Sequence, residues 1–161
     1  MFDLKNEFYL KIIFIVSFTA LIFAYFVEYI LGHQPCNLCI VERIPYIISI
    51  ILIAVIFIVK KNQKFLTLLL ILTFVFSFTI SIYHYGIEQG FFEESTVCNA
   101  RNFIENITKE DLLKELSKKT ISCKDVTFKF FGFSLTSINV VISLLFIITL
   151  IKIFIKYEKN K

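Results

Sequence analysis

The stretch Gly32-His33-Gln34-Pro35-Cys36-Asn37-Leu38-Cys39-Ile40-Val41-Glu42-Arg43-Ile44-Pro45-Tyr46 sets two cysteines at C-x-x-C spacing, two prolines, an acid, a base and a histidine between two apolar runs. A C-x-x-C pair has three ordinary readings: half of a zinc site, a redox dithiol, or two inert buried thiols. A compact four-cysteine site usually draws on a second close pair, whereas the remaining cysteines, Cys98 and Cys123, have 24 residues between them. That spacing argues against a zinc knuckle without closing off zinc, and no metal site is expected. The redox reading leads, because a dithiol needs only two sulfurs able to close on each other and a setting that stabilises one thiolate.

The setting is legible in the flanks. Pro35 stops a preceding helix from continuing, and Pro45 fits the first turn of the next, where its missing N–H costs nothing. The dithiol is therefore expected in a short bounded turn at a helix start, whose positive end favours a thiolate. Arg43, four residues after Cys39, shares its face if that turn is helical. If the helix begins only at Pro45, a cation there opposes the dipole and Arg43 answers some negative group nearby. The competing reading is a snorkelling interfacial arginine paired with Glu42.

Outward from this stretch the chain is apolar. Of 161 residues 57% are hydrophobic, with 20 Phe, no Trp and only 4 Gly, more than a soluble domain of this size covers with polar surface, so the class is an all-α membrane protein. A net charge of +4 is too small and scattered to indicate nucleic acid. Four cysteines in two separated pairs are unusual as structural disulfides in a reducing compartment. If they are redox-active, part of the chain faces an oxidising space.

Four spans are expected, at about Ile12–Leu31, Glu42–Val59, Phe65–Tyr85 and Phe131–Ile151, forming a four-helix transmembrane bundle in a single domain over residues 1–161. The first is too long for a signal peptide and lacks a small-residue cleavage site, so it is expected to stay attached. Two loops, about 32–43 and 86–130, each carry a cysteine pair, and Thr108–Leu116 within the second has the pattern of a short amphipathic helix. The aromatic segment Phe128–Phe133 is expected along the membrane surface. No internal repeat or low-complexity tract is evident.

Nine lysines lie with the termini and the link between the second and third spans, while Arg43 is alone in the short opposite loop. The basic-residue asymmetry therefore puts the termini inside and both cysteine loops outside. Five of the seven tyrosines, Tyr25, Tyr29, Tyr46, Tyr83 and Tyr85, fall at the outer span ends. An aromatic belt or a flat ring-shaped ligand at the outer leaflet accounts for the skew. His84 is a donor to such a ligand or an interfacial histidine beside water. Glu28 is a functional intramembrane acid or one that reaches the headgroups.

Gly-x-x-Pro-Cys-x-Leu-Cys-x-x-x-Arg-x-Pro-Tyr from Gly32 to Tyr46, with Tyr83-His84-Tyr85-Gly86-Ile87-Glu88-Gln89-Gly90-Phe91-Phe92-Glu93 and the pair Cys98 and Cys123, resembles the disulfide bond formation protein B (DsbB) family. The resemblance covers nearly the whole chain. It implies a multi-pass bacterial inner-membrane enzyme with periplasmic cysteine loops, a DsbA-like thioredoxin-fold partner, and a quinone, ubiquinone or menaquinone, as electron acceptor. On that likeness Cys98/Cys123 take electrons from the partner, Cys36/Cys39 pass them on, and Arg43 and His84 face the quinone. Glu28 and Glu42 stand where related chains often carry neutral polar residues. A related oxidase with a dedicated substrate and a non-enzymatic cysteine-rich membrane scaffold are the alternatives.

Overall fold

The computed structural model describes residues 4–59, 62–93, 122–124, 129–130 and 132–159. Four long helices, α1 (Leu4–Tyr29), α3 (Arg43–Val59), α4 (Gln63–Glu88) and α5 (Leu135–Lys159), form the bundle. A short helix, α2 (Asn37–Val41), leads into α3. Two two-residue strands, β1 (Lys129–Phe130) and β2 (Phe133–Ser134), pair antiparallel just before α5. Among the described residues four segments, Asn6–Tyr29, Asn37–Val59, Gln63–Glu88 and Leu135–Tyr157, are long and apolar enough to cross a membrane.

Helices α1 and α4 start ahead of the apolar stretches that announce them, and α4 and α5 run past their ends. In lipid every backbone N–H and C=O has to be satisfied within the segment, and a helix does this as well through the interface as through hydrocarbon. The second span is extended by α2. Glu42 joins α2 to α3 in a right-handed helical conformation (φ −64, ψ −17), and its N–H bonds to Leu38 O at 2.9 Å. The two pieces together give 23 residues, about 34 Å at 1.5 Å per residue. Pro45 falls in the first turn of α3, as its chemistry predicts. Helix α1, however, stops at Tyr29, ahead of Pro35, where the chain turns through Gly32 at φ +72, a conformation glycine adopts without a Cβ penalty.

Phe130 and Phe133 are backbone partners across the β1–β2 turn, in which Gly132 takes φ +85. Ser134 then caps α5, its Oγ accepting from the Ser137 N–H at 3.2 Å. The last span accordingly begins at Leu135; of the aromatic segment before it, Phe128 and Phe131 lie outside the described residues. The helix expected at Thr108–Leu116 lies outside the described residues.

Around the bundle α1 lies beside α3, α3 beside α4, and α4 packs along α5, while α1 and α5 meet little. The core at the end remote from the dithiol includes Leu10, Ile13, Ile53, Leu70, Phe74 and Leu150. Phe74 stands edge-on to both Tyr46 and Phe146, with centroids 6.2 and 4.9 Å away. Because lipid tails are as apolar as leucine, close approach and hydrogen bonds have to hold such helices together. Ser17 and Ser49 join α1 to α3 at 3.1 Å, and Ser77 and Ser143 join α4 to α5 at 3.2 Å. Large apolar side chains such as Phe18, Ile51, Phe76 and Leu145 project outward, as a lipid-facing surface requires.

Candidate active site

Cys36 is the N-cap of α2, with extended backbone (φ −72, ψ 168), and its sulfur accepts from the Cys39 N–H at 3.2 Å. The free N–H groups of a first helical turn need acceptors, and here a sulfur is one of them. One turn on, the Cys39 sulfur lies 2.6 Å from that of Cys36, both thiols being free. Cys36 is buried; Cys39 is partly open to a cavity of about 540 Å³.

His84, on α4, approaches from the other side. Its Nε2 is 3.5 Å from the Cys36 sulfur, and its Nδ1 is 3.1 Å from Glu42 Oε1. The Cys36 thiol is pulled down from 9.0 to about 5, most of all by the Cys39 hydrogen bond, with His84 adding to the effect and burial opposing it. The histidine is 1% exposed, so it is a buried partner of the dithiol rather than an interfacial residue beside water.

Glu42 is the centre of a polar network that joins three helices. Its Oε2 accepts from Asn139 Nδ2 on α5 at 3.2 Å, and the same nitrogen is 2.7 Å from Ser81 Oγ on α4. Tyr46 donates to Asn139 Oδ1. Thr136 donates to Glu88 Oε1 at 2.6 Å and lies 3.4 Å from His84 Nδ1. Glu88 Oε1 is also 3.9 Å from His84 Nε2, while Glu88 Oε2 has no hydrogen-bond partner among the described residues. A buried polar cluster of this kind is costly when incomplete and rigid when satisfied.

Arg43 answers a negative group, and that group is Glu28. Its Nη1 is 2.5 Å from Glu28 Oε2, and its guanidinium sits 4.9 Å from the centre of the Tyr25 ring. Glu28, ambiguous in the sequence, thus anchors the arginine across the α1–α3 packing, whereas Glu42 turns to His84. The outer tyrosines also have protein partners: Tyr25 under Arg43, Tyr46 on Asn139, and Tyr83 against Phe92 with centroids 5.7 Å apart. Tyr29 stacks on Tyr25 with centroids 6.1 Å apart, so four of the five have a contact within the protein.

Cys36, Cys39, Arg43, His84 and Cys123 all line the cavity, which lies between α1 and α5 and is partly open. Cys123 is disulfide-bonded and packs in one cluster with Cys36, Leu38 and Ile87. Cys98 lies outside the described residues. The sequence reading missed Asn139, Thr136, Ser81 and Glu88 as members of the site. The available signal was an amide within an otherwise apolar span: a polar side chain at bilayer depth faces the bundle interior and finds a partner there.

A family model described as "Disulfide bond formation protein DsbB" matches residues 6–153. An uncharacterized protein of Rickettsia prowazekii (strain Madrid E) is similar at 30% identity over 148 residues, covering 91% of this chain and 86% of that one.

Proposed function

The chain belongs to the DsbB family of membrane disulfide oxidoreductases, and from that premise we propose that it reoxidises a soluble DsbA-like thioredoxin-fold dithiol protein and delivers the electron pair to a membrane quinone. Electrons enter at Cys98/Cys123, the loop pair, and leave through Cys36/Cys39. The observation that carries this reading is the free dithiol in the wall of a cavity flanked by two helices that meet little. Its volume is in the range of small-molecule sites. Apolar side chains of α1 and α5, among them Val16, Ala20, Leu135 and Ile142, suit a lipid-soluble ring and tail, and Cys39, Arg43 and His84 supply the polar end. When bound, ubiquinone or menaquinone supplies an acceptor for two electrons and two protons.

The chain's own residues do the rest. With Cys36 and Cys39 joined as a disulfide, a loop thiolate attacks the Cys36 sulfur, forming a mixed disulfide and releasing Cys39 as a thiolate. The second loop thiolate attacks the loop sulfur of that bond, closing Cys98–Cys123 and freeing Cys36. The leaving Cys36 thiolate is stabilised by its helix N–H contact and by His84. Glu42, on the far nitrogen, keeps the imidazole turned toward the sulfur. Arg43, held by Glu28 and Tyr25, offers a fixed cation to negative charge at Cys39 and at the polar end of the cavity. The lysine asymmetry supports cytoplasmic termini and periplasmic cysteine loops in a bacterial inner membrane.

The test is quinone reduction by the purified chain given a reduced thioredoxin-fold dithiol protein. Loss of quinone absorbance should require both substrates and vanish in Cys39→Ser. Partner oxidation that proceeds at full rate without quinone, or in Cys39→Ser, would remove the quinone from the scheme.

A further inference from the structure

The 24 residues between Cys98 and Cys123 argue against a four-cysteine zinc knuckle, but folding supplies a third donor that spacing could not reveal. His84 Nε2 and the sulfurs of Cys36 and Cys39 all lie within 4.8 Å of one another. A tetrahedral site with Zn–S near 2.3 Å and Zn–N near 2.0 to 2.1 Å puts nitrogen and sulfur roughly 3.5 Å apart and the two sulfurs roughly 3.7 Å apart. The nitrogen already stands 3.5 Å from the Cys36 sulfur, whereas the sulfurs, now at 2.6 Å, have to open by about 1 Å. Cys39 faces the cavity, which gives its side chain room to turn.

The surroundings fit as well. A ligating histidine almost always gives its other ring N–H to a carboxylate, backbone carbonyl or water, which fixes the tautomer and raises the basicity of the ligating nitrogen. Here Glu42 Oε1 occupies that place at 3.1 Å from Nδ1, and Asn139 holds the carboxylate in turn. Independently, Glu88 lines the same cavity with its side chain 6% exposed and its Oε2 lacking a hydrogen-bond partner among the described residues. That oxygen is a buried acceptor left without a donor, a need that a water on the metal would meet once the side chain turns toward the cavity.

We propose that the reduced chain binds one soft divalent cation, Zn²⁺ or Cd²⁺, through Cys36 Sγ, Cys39 Sγ and His84 Nε2, and that oxidation of the two sulfurs abolishes the site. Binding forms two metal–sulfur bonds and one metal–nitrogen bond and releases whatever protons the two thiols and the imidazole nitrogen carry; no electron is transferred. A metal held there occupies both sulfurs, so it arrests thiol exchange until a chelator removes it. The site requires only the reduced dithiol and is independent of the quinone reading.

Cd²⁺ titration of the full-length reduced chain in detergent, followed by thiolate-to-metal charge-transfer absorbance, tests this. One ion per chain is expected with Cys98→Ser/Cys123→Ser as background, and none after oxidation of Cys36 and Cys39. Glu42→Gln should weaken binding about 10- to 100-fold, as loss of an outer-shell partner does, and His84→Gln more. Should those variants fail to fold, Co²⁺ in the background protein provides a separate readout, its ligand-field bands reporting two sulfurs and one nitrogen. Binding that persists undiminished in His84→Gln, or a cobalt spectrum without nitrogen, overturns the proposal. So does binding that survives Cys36→Ser/Cys39→Ser.

Discussion

Replacing His84 by Gln should change when Cys36 becomes reactive more than how reactive its thiolate is. In the native chain the Cys36 thiol sits at about 5, so at about pH 6 roughly nine-tenths of it is thiolate. His84 contributes to that depression through a hydrogen bond and its charge, after the larger contribution of Cys39. Loss of a close favourable charge typically moves a pKa by about 1 to 3 units, and since Cys39 remains, about 1 to 2 is the expected rise. The thiolate fraction at about pH 6 then falls roughly 2- to 10-fold, whereas at about pH 9 it stays near one in both proteins. The assay is pH-resolved alkylation of the reduced chain by iodoacetamide, with the Cys36 adduct quantified by mass spectrometry. An alkylation midpoint at Cys36 that does not move in His84→Gln would refute the reasoning, because the 3.5 Å contact would then carry no charge stabilisation.

Arg43→Leu should leave the protein inserted but raise the KM for quinone or slow its reduction, and Arg43→Lys should recover part of the loss, since a point charge lacks the planar fork that reaches Glu28; unchanged quinone kinetics in Arg43→Leu would limit the residue to anchoring. Asn139→Leu strips partners from Glu42, Ser81 and Tyr46 together, so denaturation in mixed micelles should show a loss of about 2 to 3 kcal/mol, and a loss within about 0.5 kcal/mol of zero would mean that water takes the place of the amide. A membrane-impermeant maleimide should label the reduced cysteines of intact cells once the outer barrier is permeable; labelling only after the inner membrane is broken would invert the orientation.

The apolar runs made the four spans legible, since length and hydropathy depend only on neighbours in the chain. The dithiol and its helix start were equally local: Pro45 and the C-x-x-C spacing are read within fifteen residues. What stayed hidden depends on which helix lies beside which. Arg43 had an acid next to it in sequence, yet its partner is Glu28, one helix away, because Glu42 turns inward to His84. Asn139 reaches Tyr46 and Glu42, both on or beside α3, from more than ninety positions along the chain. Helix α1 ends at Tyr29, two residues ahead of the expected span end at Leu31, and the chain turns at Gly32.

The sparse contact between α1 and α5 changes what concentration means for this protein. On the proposed quinone reading, a quinone entering between those helices would come from the surrounding amphiphile and not from water, so the protein would respond to its mole fraction in that phase. At fixed total ligand, adding detergent or lipid dilutes the ligand at its point of entry and lowers occupancy, although nothing about the cavity has altered. Half-saturation points from preparations with different amounts of detergent should therefore disagree in bulk units and coincide once expressed per molecule of amphiphile. On the proposed quinone reading, the same geometry ties occupancy in a cell to the composition of the membrane, and a change in the ratio of lipid to quinone would reach the dithiol without any soluble messenger.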